Sequence, residues 1–129
     1  MYLVDTSVWI ETFRAHDPLH LEDLVEFEEV VTCLPVIQEV LQGFGDEAAF
    51  RLARSSMLAL PTVESPLEAD VFEEAVGLYR AARRQGLTVR SSIDCLIAAC
   101  ALRHDLTVLH RDRDFDRLSR VSALKQKKT

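Results

Sequence analysis

Tyr2-Leu3-Val4-Asp5-Thr6-Ser7-Val8-Trp9-Ile10 is the stretch whose reading decides the fold. Its three leading apolar residues form a run too short for a helix, so a buried strand is expected over residues 1–5. Asp5 and Thr6 are both cap-type residues, and a helix is expected from there to about Phe13. The same strand-then-helix pattern returns twice. Val30-Val31-Thr32-Cys33 leads to Pro35, which opens a helix ended by Gly43 and Gly45. Thr107-Val108-Leu109 leads to a short helix over 112–118. Between these units the spacing predicts helices over 18–28 and 46–58, and a third strand within 58–63. A long helix is expected from Pro66 to Gly86, then one capped by Ser91 or Ser92. Val121 to Leu124 is read as the last strand. Alternating strands and helices imply an α/β fold: a central parallel sheet of about 4–5 strands, flanked by helices on both faces.

The 129 residues make one domain, expected over 1–124, followed by a frayed polar tail over 125–129. Hydrophobic residues at 48 % and charged residues at 28 % are globular proportions. Three cysteines, Cys33, Cys95 and Cys100, sit in apolar stretches with no Cys-x-x-Cys pair. That pattern fits reduced, packed thiols and a cytoplasmic protein, and gives a thiolate zinc site little support. No apolar run nears the ~18 residues that span a bilayer, and the first residues lack the basic start of a signal peptide. The net charge of −6 is unevenly spread. Residues 1–65 hold 3 basic and 12 acidic side chains, and from Arg80 onward the counts are 12 and 5. A cation site beside a polyanion groove would suit that split, and so would an oligomer interface.

In open α/β sheets, functional groups gather at the carboxyl ends of the strands. Asp5 ends the first strand, Glu39 lies in the first turns after the second, Asp94 opens a helix, and Asp112 follows the strand at 107–109. Each has an ordinary reading as well. Asp5 and Asp112 are potential N-caps, Ser91-Ser92-Ile93-Asp94 matches a capping box, and Glu39 could be a solvated helix residue. Together they make a different object. Clustered carboxylates repel and raise one another's pKa unless a countercharge is supplied. A hard divalent cation such as Mg²⁺, with Mn²⁺ as substitute, supplies it through oxygen ligands. It could activate water against a phosphodiester without a histidine base. His16, His20, His104 and His110 show no shared metal spacing and read as surface or packing residues.

Asp5-Thr6-Ser7-Val8-Trp9-Ile10, Pro35 to Phe44 around Glu39, Arg90 to Ala99 around Asp94, and Arg111-Asp112-Arg113-Asp114-Phe115 resemble, in order, the four motifs of PIN-domain nucleases of the VapC toxin branch. The resemblance covers residues 1 to about 120. It implies a PIN-like fold and a Mg²⁺-dependent endoribonuclease acting as the toxin of a toxin–antitoxin pair. It also implies a VapB-type antitoxin partner and a homodimer. Asp5, Glu39, Asp94 and Asp112 would be the catalytic, metal-binding quartet. Thr6 and Ser7 would hold the first aspartate and a metal water. Asp114 is near enough to compete with Asp112 for the fourth place. Arg90 and Arg111 flank the acids and are assigned to RNA phosphates. For Arg113 and Arg117, salt bridges or surface solvation are the favoured reading.

Rival readings fare worse. A phospho-acceptor receiver needs an acidic pair after strand one and a late-sheet lysine, and no lysine precedes Lys125. A haloacid-dehalogenase phosphatase would need an aspartate where Ser7 stands. A non-catalytic PIN-like module binding RNA or protein remains the alternative, and retention of four acids opposes it. A lone Trp9 reads as core. Exposed beside Phe13, it would instead offer a partner helix an apolar landing.

Overall fold

Five short strands, all parallel, carry the architecture of the computed structural model, which describes residues 1–129: β1 (Tyr2–Val4), β2 (Val30–Cys33), β3 (Thr62–Val63), β4 (Thr107–His110) and β5 (Lys125–Lys128). Six helices connect them: α1 (Thr6–Thr12), α2 (Leu34–Gln42), α3 (Glu47–Leu58), α4 (Ala69–Arg84), α5 (Ser92–Arg103) and α6 (Arg113–Arg120). The strand order is β3-β2-β1-β4-β5. Parallel pairing registers Tyr2 with Val30 on one side and with Thr107 on the other. Each parallel step needs a crossover, and crossovers are right-handed, so the connections reverse faces where the winding reverses. That reversal lies between β1 and β4. Accordingly α1 packs on α2 and α2 on α3, while α4, α5 and α6 pack on one another. The carboxyl ends of β1 and β4 border the crevice of a topological switch point.

The centre of the sheet is buried on both faces. Leu3, Val4, Val108 and Leu109 are wholly covered, as are Val8, Val36, Ile97, Phe115 and Leu118 from the helices. In α5 the buried apolar set is Cys95 and Ile97 to Ala101, broader than the single stripe expected, with Ile93 and Leu96 only half covered. The run Ala98-Ala99 keeps this helix thin, which suits its packing against both α4 and α6. The three cysteines are free and buried, in line with the sequence reading. No helix is long and apolar enough to cross a membrane.

Three expectations need correction. Residues 18–28 do not form a helix; they make two single 3₁₀ turns, Leu21–Asp23 and Phe27–Glu29. Only Leu21 and Val25 are buried there, too little apolar surface to hold a free-standing helix. The long helix begins at Ala69 rather than at Pro66. The last strand lies at Lys125–Lys128, not at 121–124, so the polar tail is part of the sheet. Its pairing runs from Thr107–Lys125 to His110–Lys128. Backbone hydrogen bonds to β4 supply what side-chain propensity lacks, and lysines on an outer strand keep other chains from adding to the edge.

Candidate metal centre

Asp5 sits one residue beyond β1, and its backbone N–H still bonds Leu109 O of β4 at 2.9 Å. This fixes the aspartate at the switch point. Its Oδ2 accepts from the Ser7 backbone N–H at 3.0 Å and from the Ser7 hydroxyl, so it caps α1. Its Oδ1 is buried and has no hydrogen-bond partner. Ser7 Oγ also accepts from the Arg111 backbone N–H at 3.0 Å, which ties the start of α1 to the loop after β4. The Thr6 hydroxyl does not hold Asp5. It donates to Glu39 Oε1 at 2.8 Å, bringing α2 to the same rim.

Asp94 enters from the first turn of α5 and is buried. Ser91 makes no side-chain cap bond, so the capping-box reading of this segment fails. Asp94 Oδ2 is buried without a hydrogen-bond partner. Asp112 is the N-cap of α6: its Oδ1 accepts from the Asp114 backbone N–H at 2.9 Å. Carboxylate oxygens of Asp5, Glu39 and Asp94 lie within 4.8 Å of one another, and so do those of Asp94, Asp112 and Asp114. Asp94 belongs to both groups and joins them.

None of Asp5, Glu39, Asp94 and Asp112 has an ion-pair partner within the chain; among the arginines beside them, Arg117 pairs with Asp114. The protonation equilibria record the cost. Asp94 is pushed up to about 9, first by burial, then by the charges of Asp5 and Asp112, with Asp114 adding to them. Asp5 is raised by burial, opposed by its Ser7 bonds. Glu39 is raised by burial too, with Asp5 and Asp112 adding to it against the Thr6 bond. An orphaned oxygen on each of two buried aspartates, in a set of acids whose pKa values are raised by burial and by one another, fits a hard divalent cation.

Asp114 is built differently. It is buried, its Oδ2 accepts the backbone N–H groups of Arg90 and Ser91 at 3.0 Å each, and its Oδ1 pairs with Arg117 at 3.2 Å. Oδ2 is therefore committed to the loop before α5 and Oδ1 to Arg117 of its own helix. Arg117 takes the salt-bridge role favoured in the sequence. Arg90, Arg111 and Arg113 are exposed and, with Asp112, Asp114 and Arg117, line a polar recess of about 230 Å³ beside the acids. Arg111 also reaches Glu11 at 3.8 Å.

Trp9 is buried, stacked on Phe13, which meets Phe44 edge-on, so it belongs to the core. The exposed apolar residue of α1 is Ile10, 60 % accessible, over a recess of about 110 Å³ with Phe13, Val40, Gly43 and Phe44. Sequence reading missed one residue at this rim. His110 is wholly buried, with Nδ1 accepting the Asp112 backbone N–H at 3.1 Å. Its position two residues before Asp112, at a strand end, was the available signal.

The PIN domain family model matches residues 2–121. Ribonuclease VapC11 of Mycobacterium tuberculosis is 40 % identical over 96 % of each chain. Among solved structures, VapBC-5 of M. tuberculosis, a member of the VapBC family of toxin–antitoxin systems, aligns with a TM-score of 0.73 and 23 % identity, covering 99 % of this chain and 98 % of the other. VapBC2 of Rickettsia felis, bound to a DNA fragment from its promoter, aligns at 0.75 and 16 %, covering 99 % and 98 %. With carboxylates gathered at the switch point of a five-stranded parallel sheet, and with sequence kinship along nearly its whole length, the chain belongs to the PIN domain family and, within it, to the VapC ribonucleases.

Proposed function

We propose that this ribonuclease cleaves RNA with a Mg²⁺ ion held by Asp5, Glu39, Asp94 and Asp112, with Mn²⁺ as a substitute. The observation that carries the proposal is Asp94. It is buried, belongs to both carboxylate groups, and has an oxygen that nothing in the chain satisfies. When bound, the ion would supply water activation and charge stabilisation at the phosphodiester. The chain's own residues orient the ligands. Ser7 fixes Asp5, Thr6 fixes Glu39, and the Asp114 N–H fixes Asp112. The exposed Arg90 and Arg111 beside Asp112 are suited to phosphates of the RNA.

As a VapC-type toxin the chain acts under an inhibitor. We assign that role to a VapB-type antitoxin whose apolar segment lies over Ile10, Phe13, Val40 and Phe44, with an arginine reaching the carboxylates in place of cation and RNA. A bidentate guanidinium matches paired carboxylates better than an ammonium does. The exposed face of α4, with Phe72, Val76 and Tyr79 around an apolar groove of about 410 Å³, is assigned to a second copy of the chain. Free, buried cysteines suit a cytoplasmic setting.

The test is cleavage of single-stranded RNA by the purified chain in Mg²⁺, in Mn²⁺ and in EDTA. Activity in either metal and none in chelator is expected; undiminished activity in chelator overturns the metal reading. For the partner, expression of the chain alone should arrest growth, and co-expression of the small neighbouring reading frame should relieve it. Relief without any loss of RNA cleavage by the complex would contradict site occupancy.

A further inference from the structure

We infer that His110 is a positioning residue: a neutral imidazole that fixes the Asp112 backbone and is itself fixed by Gln126 of the last strand. The inference rests on the assignment of Asp112 to the metal set. Asp112 stands at the N-cap of α6, two residues past the end of β4, where its own N–H has no helical partner. That N–H points back to His110 Nδ1 at 3.1 Å. A backbone N–H can only donate, so Nδ1 is bare and the ring proton sits on Nε2. Nε2 faces the Gln126 side-chain oxygen at 2.6 Å. The nearest carboxylate oxygen, Asp116 Oδ1, stays at 4.0 Å, while Lys128 Nζ approaches the other oxygen of Asp116 at 3.6 Å.

The register makes this arrangement repeatable. Gln126 is opposite Val108, and side chains two apart in a strand share a face, so Gln126 and His110 lie on one side of the sheet. Phe115 packs on the imidazole with ring centroids 5.1 Å apart. His110 is wholly buried, so water cannot replace either bond. Asp112 is thus restrained at two points: its N–H by His110 and its Oδ1 by the Asp114 N–H. Repulsion from Asp5 and Glu39 would otherwise drive its carboxylate away from the rim. Partners behind a metal ligand typically set affinity by about 10- to 100-fold.

Two substitutions separate positioning from packing. Asparagine places its side-chain oxygen near the position of Nδ1, and glutamine places its terminal amide near Nε2. His110→Asn keeps an acceptor for the Asp112 N–H; His110→Gln keeps only the link to Gln126. Mn²⁺ binding to the purified chain, read as loss of the free-ion electron paramagnetic resonance signal, is the primary measurement. His110→Gln should raise the Mn²⁺ dissociation constant about 10-fold, with His110→Asn within about 2-fold of the parent. Hydrogen exchange at the Asp112 amide should quicken in His110→Gln alone. Equal weakening in both variants, or none in either, overturns the inference. If neither variant folds, Gln126→Leu decides: about 3-fold weaker Mn²⁺ binding supports the relay, and unchanged binding overturns it. Asp94→Asn is the control for the underlying reading. If it binds Mn²⁺ like the parent, the metal site itself is misassigned. If it does not bind while the His110 variants match the parent, only the positioning role fails.

Discussion

Helix α5 carries an acidic cluster at each end, and the two are opposites. At its start, Asp94 meets Asp5, Glu39 and Asp112 with no basic partner among the four. At its end, about 14 Å along the axis at 1.5 Å per residue, Arg103 gathers three carboxylates. Its guanidinium reaches Glu64 at 2.8 Å, Asp70 at 2.9 Å and Glu74 at 3.3 Å, and His104 adds a contact to Glu64 at 3.0 Å. The equilibria move in opposite directions. Asp94 is pushed up to about 9 by burial and like charge, whereas Glu64 is held below its ordinary value by Arg103 and His104. Acidic side chains alone therefore say little. A cluster compensated from within the chain serves the fold, and one left uncompensated calls for a ligand.

The largest effect expected from breaking this comparison is at Asp94. Asp94→Asn should lower Mg²⁺-dependent RNA cleavage by at least about 100-fold, because the shared member of both carboxylate groups is lost. The metal-free variant should melt at or above the parent temperature, since asparagine has no buried carboxyl that must be kept protonated among like charges. The pH dependence carries the same sign. In the unfolded chain Asp94 loses its proton near its ordinary value of 3.8; in the folded chain it keeps it to about 9. The unfolded state then binds fewer protons between those values, so this group makes metal-free stability fall as pH rises through that window. Melting curves at pH 5 and 8 should show a steeper decline for the parent than for Asp94→Asn, and added Mg²⁺ should protect the parent more at pH 8. A variant that is inactive because it melts early would place Asp94 with the structural cluster instead.

A smaller effect, of the opposite kind, is expected at Arg103. Arg103→Gln leaves three carboxylates without their cation, so the melting temperature should drop by a few degrees. Because the cluster is partly exposed, added salt should shrink the drop. Glu64 is depressed in the folded state, so its contribution is present above its ordinary value of 4.5 and is lost as pH falls through the lowered folded value. The gap between parent and variant should therefore narrow in acid. RNA cleavage and Mn²⁺ binding, measured well below melting, should match the parent. A loss of Mn²⁺ affinity would show that the two ends of α5 are coupled and that the separation is false.

How far the sequence could be read follows the same physics. Asp5, Asp94 and Asp112 were legible because each stands where a strand ends or a helix begins, and apolar periodicity marks those places. The central strands were legible because β-branched and aliphatic runs are buried on both faces. Strand β5 was not, because Lys125 to Lys128 is a strand only by virtue of β4 beside it, and local composition carries no trace of that pairing. Gln126 and the role of His110 went with it. The Arg103 cluster was hidden as well, since its partners come from 29 to 39 residues away in sequence. Trp9 reads as core and is core, and the exposed apolar residue of α1 is its neighbour Ile10.

Asp114 is the finest test, because it is a compensated acid standing inside the uncompensated site. Proximity alone admits it to the metal set, since it lies within 4.8 Å of Asp94 and Asp112 by their carboxylate oxygens. Compensation argues the other way: two backbone N–H groups and the Arg117 guanidinium already occupy its oxygens. Asparagine retains one oxygen that can accept from Arg90 and Ser91 and gives up only the pairing with Arg117. Asp114→Asn should thus keep Mg²⁺-dependent cleavage within about 10-fold of the parent, below the loss expected for a true ligand. Asp114→Ala should cost more, about 1–3 kcal/mol of stability for buried N–H groups left without an acceptor, read from denaturant melts. Asp112→Asn, by contrast, should be as inactive as Asp94→Asn. If Asp114→Asn is the inactive variant and Asp112→Asn the active one, the two exchange roles: Asp112 becomes the cap of α6 and Asp114 the fourth ligand. Internal compensation would then be no guide to which acids at this rim bind the metal.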